Sequence, residues 1–125
     1  EADHVVLVVP YSAESHHLIG AKEIALMKST ATLVNIARGG IVDDAALAEA
    51  LKAKKIFAAG LDVYEGEPKV HPELLKLSNV VLAPHIASAT EKTRRAMINL
   101  AVRNLRAALA GEKPPSLINT ELWKK

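Results

Sequence analysis

The sequence contains no cysteine, so it can build neither a disulfide scaffold nor a thiolate metal site, and a reducing, cytoplasmic setting fits it best. Nor is there a surplus of one charge. Sixteen Lys and Arg stand against fourteen Asp and Glu, and the resulting +2 is far from the basic excess that marks a nucleic-acid or membrane-surface binder. Long hydrophobic runs are missing: Val5 to Val9 is typical and much shorter than a bilayer span, and no N-terminal signal pattern is present. Glycines are few, and neither Gly39-Gly40, Gly60 nor Gly66 opens a G-x-G-x-x-G pattern, which excludes a pyrophosphate-binding loop of that kind within these residues. There is no internal repeat and no low-complexity segment. There is also no starting methionine, and a chain that opens on Glu1-Ala2-Asp3 directly before a strand-like run is expected to be a piece of a longer protein.

What is present is half hydrophobic and 24% charged, a balance that supports one packed domain from 125 residues. Four segments read as buried strands: Val5 to Val9, Thr32 to Ile36, Phe57 to Val63 and Asn79 to Ala83. Being apolar on both parities, they predict a parallel sheet covered by helices on both faces. Helical patterns lie between them at Ala21 to Met27 and at Asp44 to Ala53, the latter with Asp43 and Asp44 at its N-terminus to complement the free N–H groups. Pro72 to Leu77 is expected to add a turn or two. A long helix follows from about Ala89 to Ala110, with Ser88-Ala89-Thr90-Glu91 matching a capping box and Gly111 and Pro114-Pro115 as stop signals. Arg94, Arg95, Arg103 and Arg106 read as its solvated face, Glu91 being placed to pair with Arg94 or Arg95.

In open parallel sheets, ligands bind beyond the carboxyl ends of the strands. Those ends are Pro10-Tyr11-Ser12, Ala37-Arg38-Gly39-Gly40, Tyr64 to Pro68, and Pro84 to Ser88. Arg38, between a strand and two glycines that let backbone approach a ligand, suits bidentate binding of a carboxylate, the alternative being a local pair with Asp43. His85 is the one histidine of five at a strand end, and Glu67 ends the preceding strand, so the two can meet as a carboxylate-held proton donor and acceptor. The alternative is a histidine that only bonds a carbonyl. His4, His16, His17 and His71 read as surface or loop residues. No metal is expected, because adjacent His16 and His17 would diverge on a helix.

With these three residues at successive strand ends, the sequence resembles the D-isomer-specific 2-hydroxyacid dehydrogenases, in the C-terminal part of their nucleotide-binding domain. Val34 to Asp43 is similar to the family's arginine motif, Gly60 to Pro68 to its acidic motif, and Pro84 to Thr90 to its histidine motif. Pro10-Tyr11-Ser12 departs from the proline, leucine and threonine of many members. The wording is most similar to bacterial glyoxylate, hydroxypyruvate and 2-ketogluconate reductases.

The resemblance implies an α/β fold, the C-terminal half of a Rossmann-type doubly wound parallel sheet. Residues 1–111 would be a partial dinucleotide-binding domain without its glycine loop, and residues 112–125 a tail leading toward a substrate domain. It implies reversible hydride transfer between a nicotinamide cofactor, NAD or NADP with NADPH favoured, and C2 of a small 2-oxo acid such as glyoxylate, hydroxypyruvate or 2-ketogluconate. Arg38 would anchor the substrate carboxylate, His85 would supply the proton, and Glu67 would hold His85. Val9, Pro10, Ile36, Ala37, Arg38, Asp62, His85, Ala87 and Ser88 would line the cofactor, with Asp62 facing the nicotinamide end. A dinucleotide-sensing regulatory module without turnover shares the same fold and motifs and is the alternative. Self-association or a homodimer is expected as well, because an interior strand deprived of its neighbour exposes unpaired backbone.

Overall fold

The structure, a computed structural model, describes residues 2–123; Glu1, Lys124 and Lys125, the last two in the expected tail, lie outside the described residues. The chain divides into two compact units, Glu1–Ala87 and Ser88–Lys125.

The first unit is built on a four-stranded parallel sheet in the order β1-β2-β3-β4. Its strands are β1 (His4–Leu7), β2 (Thr32–Asn35), β3 (Ala58–Leu61) and β4 (Val80–Leu82). Each lies within an expected segment or begins one residue before it, and each stops before the polar residues that follow. Register puts Val5, Leu33, Ala59 and Val80 in one row, and Leu7, Asn35, Leu61 and Leu82 in a second row on the same face. Onto that face pack α1 (Ala21–Ala25) through Ile24, and α2 (Asp44–Lys52) through Leu47, Ala48 and Leu51.

The expectation of cover on both faces fails within this unit. Val6, Val34, Gly60 and Val81 form the opposite row, and Val6 and Val81 are exposed, at 52% and 72%. Both helices supply residues to a single core, so apolar character on the other parity finds no helix of this unit to cover it. Asp43 caps α2, its carboxylate accepting the Ala46 N–H at 2.9 Å. Asp44 does not complement the helix in that way. It is buried and accepts the Glu65 N–H at 3.0 Å, and burial pushes its carboxyl above the ordinary aspartate range. Pro72 to Leu77 yields a single 3₁₀ turn, Leu74–Lys76, anchored by fully buried Leu74.

In the second unit, α3 (Glu91–Leu109) is capped by Thr90, whose hydroxyl accepts the Thr93 N–H at 3.2 Å. The Ser88 capping box is therefore not formed, and Glu91 instead bonds Arg95 one turn on, at 2.9 Å. The helix ends in a Schellman arrangement: Gly111, at φ +69°, donates to Ala108, and Glu112 donates to Ala107. The tail folds back where the Ser116 N–H meets Asn104 Oδ1 at 2.9 Å.

Candidate active site

Arg38 follows β2 in a turn shaped by Asn35. That side chain is 1% exposed; its oxygen accepts the Ala37 N–H and its amide donates to the Arg38 carbonyl, both at 3.1 Å. An Asx side chain bonding its own backbone two residues on is a standard way to fix a tight turn. Gly39 is required for packing, because a Cβ there would overlap the Tyr64 carbonyl. The close approach is between two loops of the chain itself. Arg38 is exposed, donates from Nη1 to the Ala37 carbonyl at 2.6 Å, and forms no ion pair among the described residues, so the local pairing with Asp43 is not made.

Glu67 and His85 meet, Nδ1 of the imidazole lying 2.9 Å from Glu67 Oε2. The other carboxylate oxygen accepts the Tyr64 N–H at 3.0 Å. Chiefly through the His85 hydrogen bond, the Glu67 carboxyl is held below its usual range. His85 itself sits at φ +55°, in the left-handed region that few residues other than glycine adopt. The residues after it are fixed by Asp62, which is 5% exposed and accepts the N–H groups of Ile86 and Ala87, each at 2.7 Å. Tyr64, whose hydroxyl donates to the Ala83 carbonyl at 2.6 Å, ties the third loop to the end of β4.

These loops enclose a cleft of about 830 Å³. Arg38, Glu67 and His85 all reach it, beside an apolar wall that includes Val9, Pro10, Ile36 and Ala37. Asp62 and Ala87 line a smaller apolar recess of about 250 Å³ with Ile36, and Ser88 belongs to the second unit. Two tyrosines of the searched strand ends, Tyr11 and Tyr64, also line the main cleft, although neither is among the expected site residues. Of the histidines read as surface or loop residues, His4 is exposed on β1, while His16, His17 and His71 lie in loops; His71 is half-buried with an unpartnered Nδ1, and His16 and His17, which lie outside any helix, stack with ring centroids 4.0 Å apart.

Residues 1–87 match the model of the D-isomer specific 2-hydroxyacid dehydrogenase NAD binding domain, and the chain belongs to this family. It is 55% identical over 124 residues to a glyoxylate reductase of Thermococcus gammatolerans, spanning 99% of this chain and 37% of that protein. Among solved structures, a D-isomer specific 2-hydroxyacid dehydrogenase from Polaromonas aligns at a TM-score of 0.90 and 38% identity, over 94% of this chain and 37% of that one. An NADPH-dependent glyoxylate/hydroxypyruvate reductase from Sinorhizobium meliloti, in complex with NADP and malonate, aligns at 0.80 and 42%, over 86% of this chain and 34% of that one. The chain thus spans little more than a third of the length of these relatives. Among the described residues, no helix is long and apolar enough to cross a membrane.

Proposed function

We propose that this chain supplies the acid–base and anion-binding groups of an oxidoreductase that interconverts a small 2-oxo acid, of the glyoxylate or hydroxypyruvate kind, and its D-2-hydroxy acid. The observation that carries this reading is the convergence of Arg38, His85 and Glu67 on one cleft, with His85 Nδ1 bonded to Glu67 at 2.9 Å. The apolar strip of Val9, Pro10, Ile36 and Ala37 fits the flat nicotinamide end of a dinucleotide. When bound, NAD(P)H supplies the hydride that reduces C2. NADPH is favoured as the donor by the likeness to the NADPH-dependent Sinorhizobium reductase.

The chain's own residues do the rest. The Arg38 guanidinium, with one donor spent on Ala37, has a planar fork left for the substrate carboxylate. With Nδ1 occupied by Glu67, His85 offers Nε2 to the substrate oxygen. In the reduction direction the imidazolium gives its Nε2 proton to the oxygen on which negative charge develops, becoming neutral; in oxidation the neutral ring takes that proton back. Glu67 fixes the ring's orientation through Nδ1, so the acid is positioned before substrate arrives. A cytoplasmic, homodimeric enzyme is the setting we favour.

The test is kinetic and uses the intact enzyme that carries this sequence. His85→Gln should lower kcat with glyoxylate by about 10² to 10⁴ while leaving the cofactor Kd largely unchanged. Arg38→Lys should raise KM and lower kcat together, since a point charge cannot replace a planar fork. Wild-type turnover in the His85 variant would overturn the proton-donor role.

A further inference from the structure

We infer that His16, His17 and Glu65 form a binding site for one divalent transition ion of the zinc type. This inference is independent of the proposed reductase activity. Each of the three residues offers one ligand atom, and the three atoms lie within 4.8 Å of one another. Around a tetrahedral zinc with bonds of about 2.0–2.1 Å, ligand atoms stand about 3.3 Å apart, so closure requires the side chains to rotate and the two stacked rings to swing out of parallel until one ion lies in the plane of both. His17 Nε2 already lies 3.0 Å and 3.1 Å from the two Glu65 oxygens.

The backbone explains why neighbouring histidines converge. His17 is at φ +50°, and its N–H is held by the Gly40 carbonyl at 2.7 Å. That left-handed residue turns two successive side chains to one side, and the rings stack at an interplanar angle of 23°. An ion pair between His17 and Glu65 engages only one of the two histidines, and the hydrogen bond of His16 Nδ1 to Tyr11 leaves its Nε2 free. A metal site uses both.

The Tyr11 hydroxyl lies 3.1 Å from His16 Nδ1, the kind of outer contact that orients a ligating imidazole, while the Asp43 carboxylate stands 3.9 Å from His17 Nδ1, beyond hydrogen-bond distance. Two imidazoles and one carboxylate select zinc, copper or nickel over magnesium or calcium. His17 and Glu65 side chains are 36% and 42% exposed, which leaves the ion reachable from solvent.

Calorimetric titration of the chelator-stripped protein with zinc chloride tests this. One-to-one saturable binding with Kd at or below the micromolar range is expected, weakened at least tenfold by His16→Gln, by Glu65→Gln and by His17→Asn, the last chosen because Asn tolerates positive φ. Circular dichroism checks that each variant folds; should the His17 variant not, the His16 and Glu65 variants decide. Millimolar or non-saturable binding, zinc affinity unchanged in the His16 or Glu65 variant, or equal affinity for magnesium overturns the site.

Discussion

Asp62→Asn is the most informative single change for the positioning of His85. The native carboxylate is 5% exposed and accepts two backbone N–H groups, from Ile86 and Ala87, at 2.7 Å each. An asparagine of the same shape keeps one acceptor oxygen and sets an NH₂ against the second amide. One charge-assisted bond is lost, worth about 1.5–3 kcal/mol, which is about a 10- to 150-fold change in an opening equilibrium. Ile86 is 50% exposed, so water can take over the vacated amide and the lower end, about tenfold, is expected. Amide hydrogen exchange reads it directly: protection at Ile86 and Ala87 should fall about tenfold, while the β2 amides, on a strand paired on both sides, should keep theirs. Unchanged protection at both loop amides would refute the claim that Asp62 holds the His85 loop.

Gly39→Ala should destabilise the first unit by about 1–3 kcal/mol or more in denaturant unfolding, because the new Cβ meets the Tyr64 main chain, which cannot rotate aside; stability within about 0.5 kcal/mol of wild type would contradict the crowding. The Glu67 carboxyl is lower in the folded protein than its ordinary value of 4.5, so its contribution to stability is complete above that pH and is lost as pH falls through the folded value. Thermal melts over a pH series should therefore show the deficit of Glu67→Gln shrinking toward acid, and a deficit that stays constant or grows there would refute the linkage.

Much of this was legible in the chain. Short apolar β-branched runs gave the strand positions, and searching their carboxyl ends found Arg38, Glu67 and His85, because a parallel sheet places all such ends on one side. Burial of the faces was not legible, since Val6 and Val81 are as apolar as their buried or half-buried neighbours. Contacts across long sequence separations were hidden too. Nothing near Asp62 announces that its partners lie 24 and 25 residues on, and nothing near Gly39 points to Tyr64. The convergence of His16 and His17 depends on one backbone angle, which residue spacing does not encode. At α3 the cap is Thr90, two residues beyond the Ser88 that the capping-box pattern indicates.

The carboxylates around the cleft are each engaged with partners of their own. Asp62 is committed to two amides, Glu67 to His85 and Tyr64, and Asp44 to the Glu65 amide. Asp43, the acid nearest Arg38 in sequence on the helix side, is occupied in capping α2 and faces His17, which also engages Glu65. Arg38 donates only to the neutral Ala37 carbonyl, so among the described residues its charge has no internal counter-ion. Under the proposed function, a guanidinium kept free in this way, beside a carboxylate-held imidazole and against an apolar wall, is suited to a small carboxylate.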